Sequence, residues 1–502
     1  MMQSILEQFD QIATAHPDRP AIDELGQVIT YGTLQAKANA IAAELAARNL
    51  PAKAPIMVYC DQSSLAVAAF LGCVKAGHAY IPVDTHAPND RLLAIATIAA
   101  PALVLATVPL PVELPVATVT PGELAAIAVS KQPAPAPSLA PEDNFYIIFT
   151  SGTTGEPKGV QISHANLSSF VAWMASFKLP AQARILGQAP FSFDLSVMSL
   201  YPALTSGGCL TILPKTVTDD LKALVTTLET LPLNVWVSTP SFVELCLLAP
   251  TFDGAHHPEL TQFFFCGEEL THATAAKLLT RFPQAQVFNT YGPTEATVAV
   301  TAIAITKAVL DQYDRLPIGY AKPDTGLTLV PDTTHEDMGQ TVGELLIEGP
   351  SVSKGYLNRP AKTAAAFGQN HGVQTYRTGD LGVIAADGLI FYRGRTDFQI
   401  KLNGYRIELE EVNHYLNGAP MVHQAVAVPR YNAQHKVAQL LAYVVPAAGP
   451  GSRELTQALH DYLATVMMPY MIPNRIVYRD SLPITANGKV AIKALIEEVN
   501  AS

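Results

Sequence analysis

Two rhythms of apolar and polar positions run through the first 130 residues. TYGTLQAKANAIAAELAARNL repeats apolar residues at helical spacing, whereas APIMVYC, GHAYIPVD and PALVLAT are short apolar runs of strand length. Their alternation predicts an α/β layer built on a parallel sheet. The N-terminal MMQSILEQFDQIATAHPDRP carries acidic residues early and has no long apolar core before a small-residue cleavage site. It therefore reads as a first amphipathic helix and not as a signal peptide. The proline-rich KQPAPAPSLAPEDN reads as a surface connection, since the strand-like FYIIFT follows at once and the α/β rhythm resumes. From Gly343 short strands and turns take over (GELLIEGPSVSKGYL, GLIFYRGRTDFQIKLNGYRIE). Beyond Asp397 the chain is mixed and of small-domain size. The expected architecture is a large domain over 1–397, made of layered α/β substructures plus a β-rich section, and a small α+β domain over 398–502.

Two uncharged runs, Leu92 to Val112 and Leu195 to Pro214, are long enough to raise the question of a membrane span. Pro101, Pro109 and Pro111 interrupt the first, and Pro202 with Gly207 and Gly208 is expected to interrupt the second, so no span is predicted. A net charge of −11 argues against nucleic acid or an anionic membrane as the main partner, because both require a basic surface. The five cysteines are odd in number, widely spaced and without a Cys-x-x-Cys pair, which indicates neither a disulfide framework nor a zinc site. A reducing, cytoplasmic setting fits that usage.

The most specific local signal is Tyr146 to Val160, YIIFTSGTTGEPKGV, an apolar strand running into a Ser/Thr/Gly loop that ends in Lys158. Such a loop can wrap phosphates, since glycine permits close backbone approach while N–H groups, hydroxyls and a lysine offer donors to an anion. It is not a Walker A loop, because Pro157 and Gly159 stand where that pattern needs Gly and Ser/Thr. TSGTTGEPKG resembles the phosphate loop of the adenylate-forming superfamily. NTYGPTEATVAV, YRTGDLG, GRTDFQIKLNGYRIELEEV and PITANGKV resemble that family's later motifs in the expected order, so the likeness spans nearly the whole chain. Within the family, FSFDLSVMSLYPALTSGG, VWVSTPSFVELCL and FFFCGEEL look closest to ligases that charge a separate carrier protein with D-alanine for teichoic-acid modification.

The resemblance implies a first step in which a substrate carboxylate attacks the α-phosphorus of ATP. A carboxylate is already ionised at neutral pH, so the site needs no general base. It needs alignment of two anions and neutralisation of charge growing on the phosphates. By resemblance Ser151, Gly152, Thr153, Thr154, Gly155 and Lys158 hold the triphosphate, with Thr153 the best-placed direct contact. Gly292, Pro293 and Thr294 belong to the same nucleotide site, and Glu295 would help hold Mg²⁺. Considered alone, Glu295 reads as a solvated surface carboxylate. Tyr291 would stack on adenine and Asn289 contact its edge; a buried core tyrosine is the alternative for the first. Asp380 would accept from both ribose hydroxyls, supported by Arg395. Without the motif, Asp380 reads as a turn residue and Arg395 as a surface charge.

Asp194 bears on substrate class. A carboxylate inside the apolar FSFDLSV either caps a helix or meets a cation. From the residues alone the cap is favoured, while the resemblance makes Asp194 the partner of a substrate ammonium, which a fatty acid lacks. Cys266 and Val298 would narrow the side-chain pocket to about a methyl group, with plain core packing as the alternative. For the second step, transfer to a phosphopantetheine thiol, the family's small domain rotates. Asp397 matches the hinge, Lys401 and Gly404 would serve the thioester half, and Lys489 the adenylation half. An L-amino-acid ligase, an acyl-CoA synthetase and a non-catalytic adenylate-binding protein are the competing readings; Asp194 speaks against the second, and Glu295 with Lys489 against the third.

Overall fold

The computed structural model describes residues 4–130, 140–151, 156–337, 339–432, 436–484 and 490–501. The described chain divides into two compact units. One comprises Met1–Thr85, Ile98–Phe149 and Gly159–Thr396; the other comprises His86–Thr97, Thr150–Lys158 and Asp397–Ser502. The division therefore turns at Asp397 but is not a single cut. The two upstream segments join the second unit through side-chain contacts: Arg91 pairs with Glu411 at 3.4 Å, and the Ser151 hydroxyl donates to the Arg406 carbonyl at 2.9 Å.

In the first unit, Ser4 caps the helix Ile5–Ala15 reciprocally with Glu7, so the N-terminal amphipathic helix forms where its pattern predicts. The runs IMVYC, YIPVD and LVLA become the strands Ile56–Cys60, Tyr80–Asp84 and Leu103–Ala106, paired in parallel, and Tyr80–Asp84 pairs in parallel with Asn144–Thr150. These strands are almost wholly buried, as expected of a parallel sheet covered on both faces. A second sheet of nine strands has a parallel centre that includes Gln262–Phe265 beside Gln286–Tyr291. A third sheet is antiparallel, with Val373–Ile384 lying between Gln340–Glu348 and Ile390–Arg395.

Pro202 does not interrupt the chain as expected. The helix Leu195–Ser206 runs through it and ends at Gly207, which adopts the left-handed conformation with φ of 73°. One helical hydrogen bond is lost at the proline, but ten of the helix's residues, Leu195 to Leu204, are buried, and that packing outweighs the local defect. Among the described residues no helix is long and apolar enough to cross a membrane.

The second unit contains the hairpin Gln399–Leu402 and Tyr405–Glu408, with Leu402 opposite Tyr405. Its two-residue turn, Asn403-Gly404, has φ of 51° and 83°, the positive values that a tight hairpin of matching twist requires. The helix Leu409–Gly418 follows, then Val422–Tyr431 antiparallel to Val437–Pro446, which is parallel to Arg475–Tyr478. A small apolar core gathers Val426, Val428, Leu441, Leu495 and Val499.

Candidate functional site

Three groups of candidate residues lie in the first unit. The strand Gln286–Tyr291 carries Asn289 and Tyr291 on consecutive alternate positions, and both are buried. The Asn289 amide donates to the Pro317 carbonyl at 2.7 Å, which fixes its orientation. The Tyr291 hydroxyl donates to Asp380, whose other carboxylate oxygen takes a 2.6 Å bond from Arg395. Asp380 and Arg395 are direct cross-strand partners, so sheet register brings the two charges together. Burial, then the charge of Asp380, holds the Tyr291 phenol well above its ordinary range, so it stays protonated as a donor. Read in isolation, Asp380 suggested a turn and Arg395 a surface charge. The structure corrects both: Asp380 lies within the strand Val373–Ile384, and the Arg395 side chain is only 10% exposed because it balances that carboxylate.

The segment after Tyr291 is a tight loop. A Cβ on Gly292 would lie 2.5 Å from the Ala299 Cα, so only glycine permits the return of the chain. Pro293 precedes the 3₁₀ turn Thr294–Ala296, and Thr297 and Val298 both adopt positive φ, 58° and 71°. The loop closes through the Val300 N–H donating to the Tyr291 carbonyl at 2.8 Å. Glu295 is fully buried, which overturns its reading as a solvated surface carboxylate. Tyr356 donates to its Oε1 at 2.8 Å, and the Ser353 N–H donates to its backbone carbonyl. A carboxylate of this kind suits a hard cation, and Mg²⁺ is commonly held by one or two carboxylates together with substrate phosphates. No group of three or more His, Cys, Asp or Glu that could hold a metal ion occurs among the described residues. A cation placed against Glu295 would need further oxygen ligands, such as those of phosphate groups.

Asp194 is the N-cap of the helix Leu195–Ser206, but with φ of −63° and ψ of −19° its side chain makes no capping bond. The capping reading is thereby corrected: the residue is already in the right-handed helical region, where the side chain does not turn back to the first N–H groups. It is 6% exposed, and its charge reaches the phenol of Tyr146. Cys266 follows the strand Gln262–Phe265, and its thiol points at the Val298 carbonyl at 3.6 Å.

In the second unit, Ser151 and Lys158 are both buried. The Ser151 hydroxyl is engaged by Arg406, and the Lys158 ammonium lies 3.8 Å from Glu408. Asp397 accepts from the Gln399 N–H at 3.1 Å, Lys401 stands opposite Arg406, and Gly404 occupies the hairpin turn. Gly152, Thr153, Thr154, Gly155 and Lys489 lie outside the described residues. Sequence reasoning missed Tyr356 and Glu408, which hold Glu295 and Lys158. Each is remote in the chain from the residue it contacts, and no local pattern marks such a partner.

A family model described as AMP-binding enzyme matches residues 9–357, and one described as AMP-binding enzyme C-terminal domain matches residues 411–489. Proteins named D-alanine--D-alanyl carrier protein ligase from Lactiplantibacillus plantarum and Lacticaseibacillus rhamnosus are 54% and 53% identical to the chain, over 100% of it and 100% of each relative. Among solved structures, the Vibrio cholerae adenylation domain AlmE in complex with glycyl-adenosine-5'-phosphate superposes with a TM-score of 0.81. It is 23% identical and the match covers 99% of this chain and 98% of that one. Holo-PA1221, described as a protein containing adenylation and PCP domains, gives a TM-score of 0.82 at 26% identity, covering 99% and 84%.

Proposed function

The chain belongs to the AMP-binding enzyme family, and from that premise we propose that it is an AMP-forming ligase that activates D-alanine for a separate carrier protein. In the first half-reaction a D-alanine carboxylate oxygen bonds to the α-phosphorus of ATP, and the bond to the departing pyrophosphate breaks. In the second, a phosphopantetheine thiol on the carrier forms a bond to the carbonyl carbon, AMP leaves with the electron pair, and the thiol proton passes to solvent. The carrier is charged in the cytoplasm, and the charged carrier serves teichoic-acid D-alanylation. The observation that carries the amino-acid reading is Asp194, a carboxylate buried at a helix N-terminus to which it makes no capping bond. The names of the full-length relatives support D-alanine in particular.

Within this reading Asp380, with two oxygens and further lone pairs beyond those met by Tyr291 and Arg395, accepts the ribose hydroxyls. Tyr291 offers a ring to adenine, and Asn289, held by Pro317, its edge. Ser151, Gly152, Thr153, Thr154, Gly155 and Lys158 hold the phosphates, with Gly292, Pro293 and Thr294 shaping the same site. Glu295 would hold Mg²⁺, which when bound offsets phosphate charge. Asp194 balances the ammonium, and Cys266 and Val298 bound the methyl group. Asp397 is the hinge, and Lys401 and Gly404 serve the thiol-transfer step.

The test separates the two steps. Lys489→Ala is expected to lower adenylate formation by about 10² to 10³, the usual effect of removing one donor to developing charge. Supplied with preformed D-alanyl-AMP, the same variant should still load the carrier. Gly404→Leu should make adenylate at the normal rate and fail to load. Equal damage to both steps by each variant would overturn the assignment.

A further inference from the structure

Tyr146, in the strand Asn144–Thr150, is fully buried, yet its hydroxyl has no hydrogen-bond partner among the described residues. Buried tyrosine hydroxyls ordinarily find a partner, because the water they leave behind must be replaced. Its neighbours do not help. The Tyr80 ring lies 5.9 Å away between centroids, but the Tyr80 hydroxyl is engaged with that of Tyr201 at 2.6 Å. Those two satisfy each other and leave Tyr146 as the unmatched member of the trio.

Tyr201 stands seven residues after Asp194 in the helix Leu195–Ser206, two turns along, and so shares its face. That face is turned toward the strands bearing Tyr80 and Tyr146. The negative charge of Asp194 is felt at the Tyr146 phenol, where, after burial, it is the next cause raising the pKa. The phenol is therefore neutral at physiological pH and offers a lone pair as well as a proton. A carboxylate balances an ammonium but leaves at least one of its N–H groups needing another acceptor in a dry pocket.

We propose that the Tyr146 hydroxyl belongs to the amino-acid site, accepting one N–H of the substrate ammonium that Asp194 balances. This rests on the reading of Asp194 given above. It explains why a buried hydroxyl is kept without a partner in the protein alone: the partner arrives with the substrate.

The experiment is Tyr146→Phe, which removes one oxygen and keeps the ring. The expected result is a rise of about tenfold in the KM for D-alanine, the size of one net hydrogen bond, with the KM for ATP unchanged. The melting temperature should hold or rise, since deleting a buried hydroxyl without a protein partner costs the fold nothing. A D-alanine KM within twofold of the parent overturns the proposal. So does a lowered melting temperature with both KM values raised alike, the mark of a packing role. Asp194→Asn measured alongside separates the two readings. If it leaves the D-alanine KM unchanged while Tyr146→Phe raises it, the Asp194 assignment fails and the tyrosine's contact with substrate stands.

Discussion

Asp380 and Asp194 are both buried carboxylates of the first unit, and the fold treats them in opposite ways. Asp380 sits within a strand, with Arg395 on one oxygen and Tyr291 on the other, so its charge is balanced before any ligand arrives. Asp194 stands at a helix terminus whose N–H groups it does not cap. A charge that the fold has balanced makes a fixed acceptor platform, suited to neutral hydroxyls. A buried carboxylate that makes no capping bond to its own helix is suited to a cation brought by the substrate. The same residue type thus does two kinds of recognition, set by its surroundings.

The largest expected effect comes from breaking the second arrangement. Asp194→Asn should cost about 3 to 5 kcal/mol in D-alanine binding, the usual result of removing one partner of a buried charge pair. Steady-state kinetics should show a D-alanine KM raised more than about a hundredfold, with ATP affinity near normal. A raised ATP dissociation constant with a normal D-alanine KM would reverse the roles of the two carboxylates. Asp380→Asn should act on the nucleotide instead, weakening ATP by about 1.5 to 3 kcal/mol in calorimetry, because bonds to a charged acceptor become bonds to an amide. It should also lower the melting temperature, since Arg395 loses its counter-charge. The smallest effect is expected at Cys266. Replacing it by Ala or Gly should relax discrimination against larger or opposite-handed amino acids by about 1 to 3 kcal/mol. An unchanged D-alanine/L-alanine ratio would remove the thiol from the specificity argument.

Much of this was legible in the chain before any coordinates. The strands Ile56–Cys60, Tyr80–Asp84 and Leu103–Ala106 follow from short apolar runs, and the Asn403-Gly404 hairpin suits the LNGY stretch. The helix through Pro202 was not legible, because the burial that sustains it depends on the sheets around it. Exposure was equally invisible: Glu295 and Arg395 look like surface charges until Tyr356 and Asp380 are seen beside them. The capping rule favoured Asp194 as a cap, yet it concerns side-chain type and cannot see the backbone angles that here turn the carboxylate elsewhere. Tyr146 gave no signal at all, since an apolar strand hides which of its polar atoms lacks a partner.

The most direct test of the account is ATP–pyrophosphate exchange with the intact enzyme, comparing D-alanine, L-alanine and propionate, which keeps the carboxylate and methyl group but lacks the ammonium. Exchange is expected with D-alanine, with weaker exchange for L-alanine and none above background for propionate. Exchange with propionate equal to that with D-alanine would show that no ammonium is recognised, and would contradict both the role of Asp194 and the amino-acid ligase built on it.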